Sequence, residues 1–470
     1  MRKKKIVCTI GPASNSEEVL RGLCLAGMNV ARLNFSHGTH EEHGIVINRI
    51  KKVRKELSLP IAIMIDTKGT EYRIGMFEDG KINLADGDEF TFTSEKIMGN
   101  QNEVSVNYEN LPNELGVGDT ILLNNGLLSF VVKSVEGTRI NCTVRHGGEL
   151  SSRKSMSFPG KVLSRPYLSE QDKSDIAFGV ENGIDYIACS FVSNKQNLID
   201  VQDYLASLDA AGIELIAKIE NQAGIDNIEE ICQHCDGTMV ARGDMGVEVP
   251  FEQLPAIQKK LITKCRMFGK RVITATEMLE SMITKPRPTR AEISDVANAV
   301  YDGTSAIMLS GETAAGAFPV EAVSIMSKIA ETAEKSIDYK SKFYSTEFKI
   351  KNSSDAVSHA TCAMAMDINA KAIVACTISG MTARMVSRFR SPVDIIGLTT
   401  DEVTWRKLAL SWGVTPKLCE KFTSTDVLFY YAKKIAIESL SLCEGDKLVI
   451  TGSDETGTTG KTNLIKIDDI

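Results

Sequence analysis

The strongest constraint on the fold is an alternation of short apolar runs with amphipathic segments, which one long stretch interrupts. Apolar runs lie at residues 5–10, 29–35 and 61–65, and helical patterns separate them. This alternation predicts parallel βαβ units with right-handed crossovers. From about residue 70 to 163, short β-rich runs and turn residues replace the helical period. We therefore expect an all-β domain inserted into an α/β domain.

The alternation resumes after the insertion and brings the strand count to eight. Five further apolar runs lie at residues 186–191, 215–219, 238–241, 272–275 and 306–309. Eight such units predict a closed (β/α)8 TIM barrel, whose site lies at the C-terminal ends of its strands. A polar segment, 338–354, then precedes a last α/β unit with apolar runs at 373–376, 394–398 and 447–450.

These patterns set the expected domain limits. We place the barrel at residues 1–69 and 165–338, an inserted β-barrel lid domain at 70–164, and a C-terminal α/β domain at 339–470. A chain of 470 residues is too long for a single hydrophobic core, and roughly three domains are expected for that length.

Composition excludes several classes of protein. The 54 basic and 61 acidic residues give a net charge of −7, whereas a nucleic-acid binder normally has a basic excess. No apolar run reaches the roughly 18 residues of a membrane helix, and no signal peptide is expected. Eleven scattered cysteines indicate reduced thiols and a cytoplasmic protein. The single CxxC pair, Cys232 and Cys235, lacks a partner pair, so a zinc site is disfavoured.

Polar side chains follow the predicted barrel strands where a barrel site would lie. These residues are Arg32, Asn34, Ser36 and His37, then Asp66 and Thr67, then Lys218 and Glu220, then Arg242, Gly243 and Asp244, and finally Thr276. Lys218 and Glu220 are two apart on one strand and therefore project to one side. With Asp244 on the next strand, they form a hard-oxygen site that suits Mg2+. The alternative is a buried ion pair that only stabilises the barrel.

Each of the other strand ends, taken alone, is weaker evidence for a particular kind of site. Asn34, Ser36, Asp66 and Thr67 offer oxygen ligands with a single formal charge, which suits a monovalent cation, although plain hydrogen-bonded packing is the alternative. Gly243 lets backbone N–H groups approach an anion. Thr276 either relays a proton or caps a strand. Together these residues favour a Mg2+-dependent enzyme that handles small phosphorylated anions, without naming the reaction.

Several blocks of the chain resemble the pyruvate kinase family of bacterial type, almost from end to end. They are CTIGP at residues 8–12, RLNFSHG at 32–38, DTKG at 66–69, AKIEN at 217–221, MVARGD at 239–244, PRPTRAE at 286–292 and LSGE at 309–312. The resemblance implies phosphoryl transfer from phosphoenolpyruvate to ADP, with pyruvate and ATP as glycolytic products.

The resemblance also assigns roles to the strand-end residues. Arg32 and Lys218 hold the transferring phosphoryl group, and Glu220 and Asp244 bind Mg2+. The Gly243 and Asp244 amides receive the substrate carboxylate, and Thr276 assists protonation of the enolate. Asn34, Ser36, Asp66 and Thr67 match K+ ligands, and Asn34, His37, Arg73 and Lys154 match nucleotide contacts. Glu71 implies a K+ requirement, because family members with lysine there supply their own cation.

The C-terminal domain resembles an effector module. Thr377, Ser379, Gly380 and Thr382 match a sugar-phosphate cradle, with fructose 1,6-bisphosphate as the first guess, and residues 451–460 match a flexible effector loop. A plain glycine-rich turn is the alternative. The resemblance also implies a homotetramer.

Departures from the family pattern lie around the lid and its hinge. Thr70 replaces a hinge proline, and Asn124 and Asn125 replace an Asp pair. They motivate a second hypothesis, a catalytically weak homologue with a ligand-binding or regulatory role. A third is a Mg2+-dependent lyase or aldolase on the same barrel, which Arg32, Lys218 and the lid residue Lys154 disfavour.

Overall fold

The computed structural model describes residues 2–69, 71–421, 424–453 and 461–470. The chain begins with β1 Lys5–Thr9, α1 Glu17–Ala26, β2 Val30–Asn34, α2 His40–Glu56 and β3 Ala62–Asp66. Local sequence sets the limits of α1, because the Ser16 side chain accepts the Val19 N–H at its start and Gly27 ends it with φ 119°. Thr39 and Glu42 form a capping box at the start of α2. These elements confirm the predicted alternation.

The inserted segment is β-rich and has its own core. Its elements are β4 Tyr72–Arg73, β5 Lys81–Leu84, β6 Glu89–Thr93, β7 Glu103–Ser105, α3 Leu111–Glu114, β8 Thr120–Leu123, β9 Leu128–Glu136, β10 Arg139–His146, β11 Gly148–Ser151 and β12 Ser155–Ser157. Seven strands form one sheet in the order β4-β12-β8-β9-β10-β6-β7, and β5 pairs with β11. A bridge between Ile74 and Val106 joins the two edges, so the sheet curls around buried Phe90, Phe92 and Phe130. The short helix α3 was not predicted.

The alternation then resumes as expected. The elements are α4 Glu170–Glu181, β13 Tyr186–Cys189, α5 Lys195–Ser207, β14 Glu214–Ile219, α6 Gln222–Asp226, α7 Ile228–His234, β15 Gly237–Ala241, α8 Arg242–Glu248, α9 Leu254–Met267, β16 Arg271–Ala275, α10 Arg290–Asp302, β17 Ala306–Leu309, α11 Gly311–Ala314 and α12 Pro319–Lys335. Eight parallel strands close in the order β1-β17-β16-β15-β14-β13-β3-β2. The predicted TIM barrel is confirmed.

The C-terminal unit is a five-stranded sheet with helices on both sides. Its elements are α13 Tyr339–Ser345, α14 Ser353–Asp367, β18 Ala372–Cys376, α15 Met381–Arg388, β19 Asp394–Thr399, α16 Glu402–Lys407, β20 Val414–Leu418, α17 Thr425–Leu440, β21 Lys447–Gly452 and β22 Leu464–Asp469. The order is β20-β19-β18-β21-β22, and β22 runs antiparallel to β21. The sequence analysis missed β20 and β22, because both are half-exposed edge strands without an apolar run.

The C-terminal unit covers the N-terminal ends of the barrel strands. Arg406 donates to Asp185, which precedes β13, over 2.9 Å, and Arg384 donates to Glu214 at the start of β14 over 3.1 Å. The β-rich insertion leaves the barrel after β3, at the opposite end, where the strands finish.

Two further sequence expectations concern helices and cysteines. No described helix is long and apolar enough to cross a membrane. All eleven cysteines are free, and nine of them are buried. Cys232 lies on α7 with its Sγ atom 3.5 Å from that of Cys265 on α9.

Candidate active site

Lys218 lies at the centre of a buried polar cluster at the barrel mouth. Its Nζ atom is 3.0 Å from Asp66 Oδ1, 2.9 Å from Glu220 Oε1 and 2.8 Å from Ser190 Oγ. Burial alone lowers the pKa of Lys218, but Asp66 and Glu220 outweigh it and raise that pKa above its ordinary value. Lys218 is therefore a cation that its partners hold in a fixed position near the C-terminal ends of the barrel strands.

Arg32 supplies a second buried cation beside the first. Its Nε atom donates to Asp66 Oδ2 over 2.7 Å, and its Nη1 atom donates to Thr9 Oγ1 over 2.8 Å. Burial favours a protonated Asp66, yet Arg32 and Lys218 together hold its pKa below the ordinary value. The carboxylate of Asp66 thus orients both cations. The guanidinium of Arg32 and the ammonium of Lys218 therefore lie close together at the barrel mouth.

Glu220 is fully buried and lies against a left-handed backbone turn. Phe191 has φ 55°, and its N–H donates to Glu220 Oε2 over 2.6 Å. Oε1 contacts the Lys218 ammonium but has no hydrogen bond of good geometry. Burial raises the pKa of Glu220 to about 7; Lys218 opposes this shift, and the negative charge of Asp244 adds to it. The site therefore holds two carboxylates whose mutual repulsion is not fully balanced.

Gly243 and Thr276 are joined directly. The Gly243 N–H donates to Thr276 Oγ1 over 2.8 Å, and that hydroxyl donates to the Ala275 carbonyl over 2.6 Å. Thr276 has φ 71°, a left-handed conformation rare for a β-branched residue. Arg242 fixes it by donating from Nε to the Thr276 carbonyl over 3.2 Å and by pairing with Asp295 over 2.7 Å. Strain held in this way is typical of functional sites.

The four residues predicted to hold a monovalent cation lie at the ends of β2 and β3. Asn34 is opposite Asp66 in the strand register. The Asn34 side chain accepts the Ser36 N–H over 3.1 Å, and Thr67 Oγ1 accepts the Ser190 N–H over 3.1 Å. The structure thus places the four oxygen-bearing residues side by side, next to the cluster of Lys218.

A cleft of about 550 Å3 opens between the barrel mouth and the β-rich insertion. Of the residues with predicted roles, His37, Arg73 and Asp244 line it, together with Glu71. Glu71 forms an ion pair with Arg73. Lys154 is not among the described lining residues, although it lies between β11 and β12 at the edge of the insertion.

Comparison with known proteins identifies the family. A sequence model of the pyruvate kinase barrel domain matches residues 1–323, and a model of the pyruvate kinase alpha/beta domain matches residues 355–468. The chain belongs to the pyruvate kinase family. Its resemblance to that family was predicted from the sequence blocks and is confirmed.

Curated relatives and a solved structure agree with the family models. A pyruvate kinase of Staphylococcus aureus is 48% identical over 99% of this chain and 80% of its own length. A pyruvate kinase of Clostridium acetobutylicum is 45% identical over 99% of both chains. A crystal structure of a pyruvate kinase from Cryptosporidium parvum has a TM-score of 0.94 at 38% identity, covering 100% of this chain and 96% of its own. The predicted enzyme class, a phosphotransferase, is confirmed, and the family implies a divalent metal cofactor.

The residues matched to the pyruvate kinase effector site lie beyond the carboxyl end of β18, the central strand of the C-terminal sheet. Thr377 follows β18, and Gly380 precedes α15 with φ 82°. The Thr382 hydroxyl is 2.9 Å from that of Thr462. Ser379 is exposed beside them. Residues 454–460 of the matched loop lie outside the described residues.

Sequence reasoning missed several polar residues of the site. Thr9 and Ser190 hold Arg32 and Lys218, and both follow the strand-end rule that found the others, so the signal was present. Lys161 and Arg165 line the cleft from the chain that returns from the insertion. They carry no motif, and only the fold brings them to the cleft.

Proposed function

We propose that this chain transfers the phosphoryl group of phosphoenolpyruvate to ADP, giving pyruvate and ATP in glycolysis. The observation that carries the proposal is the pair of buried cations, Arg32 and Lys218, oriented by Asp66 at the barrel mouth. Phosphoryl transfer asks little covalent chemistry of the protein and depends on positioning and on cations that meet the developing charge. This arrangement supplies both.

Arg32 and Lys218 take the phosphoryl oxygens in this proposal. Lys218 is held on three sides by Asp66, Glu220 and Ser190, so its ammonium needs no reorganisation when the substrate arrives. Only 8% of each cation is exposed, and water therefore screens their charge weakly. As the phosphoryl group leaves, Lys218 also neutralises charge that develops on the enolate oxygen.

Glu220 and Asp244 would hold Mg2+. Mg2+ is commonly bound by one or two carboxylates and completes its shell with water and substrate oxygens. The residues present fit this ion, because Glu220 and Asp244 are two carboxylates near enough for the charge of Asp244 to raise the pKa of Glu220, and a divalent cation would relieve that repulsion. When bound, the ion supplies charge neutralisation at the phosphoryl and carboxylate oxygens.

Gly243, Asp244 and Thr276 would handle the other end of the substrate. The backbone N–H groups of Gly243 and Asp244 receive its carboxylate. In the structure the Gly243 N–H donates to Thr276 Oγ1, so carboxylate binding to that N–H would free a lone pair of the Thr276 oxygen. Thr276 would then assist protonation of the enolate by accepting from a water and orienting it, while its own proton stays hydrogen-bonded to the Ala275 carbonyl.

Asn34, Ser36, Asp66 and Thr67 would hold K+. Their set of three neutral residues and one carboxylate, already shared with two cations, suits a monovalent rather than a divalent ion. Glu71 adds the acidic residue that the family resemblance links to a K+ requirement.

The nucleotide would enter the cleft between the barrel and the insertion. Asn34, His37, Arg73 and Lys154 are the proposed contacts, and His37 and Arg73 line the cleft. Lys154 lies on the same insertion, so closure of this lid would be required to bring it to the phosphates.

Wider aspects of the function rest on the family resemblance. The proposed domain limits are those predicted from the sequence. The barrel comprises residues 1–69 and 165–338, the lid 70–164 and the C-terminal domain 339–470. Thr377, Ser379, Gly380 and Thr382 would bind a sugar phosphate such as fructose 1,6-bisphosphate. A homotetramer in the cytoplasm is the proposed state of the enzyme.

A coupled assay of pyruvate formation tests the proposal. The full chain is supplied with phosphoenolpyruvate, ADP and Mg2+, in K+ and in Na+ at equal ionic strength. We expect rapid turnover with K+ and slow turnover with Na+. No pyruvate in any salt would refute the proposed reaction, whereas equal rates in both salts would refute only the K+ site.

A further inference from the structure

A second cavity lies at the opposite end of the barrel, where the barrel meets α13 and the segment after α15 of the C-terminal unit. The centre of a water molecule can occupy about 20 Å3 of this cavity. Its lining includes four cationic residues, Lys4, Arg266, Lys342 and Arg390, and the hydroxyl-bearing Tyr339. No carboxylate is among its described lining residues.

Lys4 is the most buried of these cations, with 1% of its surface exposed. Its ammonium makes no hydrogen bond or ion pair with any described residue and lies 5.6 Å from the ring centre of Trp412. The carboxylate of Glu334 accepts the backbone N–H groups of Lys3 and Lys4 instead, over 2.9 and 2.6 Å. Burial, reinforced by the charge of Arg390, lowers the pKa of Lys4 well below its ordinary value. A buried ammonium normally has a partner.

Arg390 approaches the cavity from the C-terminal unit and is 6% exposed. Its guanidinium donates only to neutral oxygens, such as Gly303 O at 3.1 Å and Ser305 Oγ at 2.9 Å. Its Nε atom is buried and without a partner among the described residues. Burial and the charge of Arg266 lower the pKa of Arg390 to about 9. The charge of Glu334 opposes this shift without outweighing it, and no hydrogen bond of Arg390 to a described residue goes to a carboxylate.

Two more unused donors belong to the same lining. Arg266 Nε and the Tyr339 hydroxyl are both buried, and neither has a hydrogen-bond partner among the described residues. Most buried polar atoms in proteins are hydrogen-bonded. Unpartnered donors on α9, on α13 and after α15 thus line one small cavity. No described residue of its lining carries a negative charge.

We propose that this cavity binds a phosphate group, as the free ion or as the end of a phosphate ester. A tetrahedral oxyanion is compact enough for the available volume, and its oxygens accept several charge-assisted hydrogen bonds at once. Arginine and lysine are the side chains that recognise phosphate elsewhere. The site differs from the proposed effector cradle at Thr377–Thr382 in every residue, and it would tie the barrel to the C-terminal unit.

Titration calorimetry of the full chain with inorganic phosphate, at fixed pH and ionic strength, tests this site. Because the proposed active site would also bind phosphate, only a difference between the variants and the parent protein reports on this cavity. We expect Lys4→Met to weaken one phosphate-binding event about tenfold or more, because one charge-assisted bond is lost. Lys3→Met is the matched control, since Lys3 pairs with Asp394 over 3.0 Å, and it should leave phosphate binding unchanged.

Tyr339→Phe is a second variant that keeps the ring and removes only the hydroxyl. It should weaken the same event less than Lys4→Met, and all three variants should keep pyruvate turnover, which separates this test from that of the catalytic proposal. Glycerol phosphate in place of phosphate distinguishes an ester, which should bind tighter, from the free ion.

Crystals grown with phosphate should show it within hydrogen-bond distance of Lys4 Nζ and Arg390 Nε. Equal phosphate affinity in the parent protein and Lys4→Met would overturn the proposal. So would chloride competing as strongly as phosphate, or density in the crystal without saturable binding in solution, which would indicate an adventitious ion only.

Discussion

Lys218 and Asp66 are 152 residues apart in the chain, and their Nζ and Oδ1 atoms meet at 3.0 Å in the barrel mouth. They stand on β14 and β3, and β13 runs between these two strands. Ser190, just after β13, fills the gap by accepting from Lys218 and donating to the Thr67 carbonyl over 2.6 Å. Three strands from both sides of the insertion thus build one cluster.

Replacement of Lys218 tests the centre of this cluster. We expect Lys218→Met to lower kcat for pyruvate formation by about a thousandfold or more, because a preorganised cation is lost from the transition state. Circular dichroism should show an intact fold. Lys264→Met is the control, since Lys264 lies on α9 away from the cleft, pairs with Glu229 over 2.7 Å and should keep full activity. Substantial activity in Lys218→Met would mean that another lysine acts.

The cation requirement is tested at Glu71. We expect Glu71→Lys to turn over equally well in Na+ and K+, because the new ammonium replaces the monovalent ion. Glu71→Gln also breaks the ion pair with Arg73 but brings no cation, so it should still need K+. Rates measured in the two salts decide the matter, and a K+ requirement that survives in Glu71→Lys would contradict the prediction.

The contact between the barrel and the C-terminal unit should be sensitive to acid through Glu214. This buried carboxylate lies between Arg271 and Arg384; burial favours its protonation, but the two arginines outweigh it and lower its pKa. A lowered folded pKa stabilises the protein above the unfolded value of about 4.3 and loses that contribution as pH falls through the folded pKa.

We therefore expect Glu214→Gln to lose about 3 kcal/mol of stability at neutral pH. The difference from the parent protein should persist down to about pH 5 and shrink below about pH 4. Urea unfolding followed at several pH values measures it, with Glu229→Gln, an exposed partner of Lys264, as the control. A difference that grows toward acid pH would contradict the assignment.

The turn between β8 and β9 contains the two asparagines that depart from the family pattern. Asn124 and Asn125 have φ 52° and 57°, left-handed values that asparagine tolerates better than most residues. Asn125→Val should destabilise this hairpin by about 1–2 kcal/mol, because a β-branched residue is strained there. Asn125→Gly should not. Hydrogen exchange of the β8 and β9 amides measures the effect, and equal protection in both variants would argue against backbone strain.

Much of the fold followed from pattern alone. Eight barrel strands and the place of the insertion depend on the local hydrophobic period, which the sequence shows directly. The edge strands β20 and β22 and the helix α3 were missed. Edge strands are stabilised by a neighbour rather than by an apolar run of their own, and a single helical turn leaves little period to detect.

The site divides in the same way. The sequence by itself determined which strand ends carry chemistry, because residues such as Lys218, Glu220 and Asp244 follow buried strands at readable spacings. Only the tertiary structure decided that Asp66 orients both Arg32 and Lys218, that Ser190 completes the cluster, and that Lys4 and Arg390 line one cavity. The physical reason is that charge and burial act through space: a side chain's partners, and hence its pKa, are set by barrel closure and domain contact rather than by its neighbours in the chain.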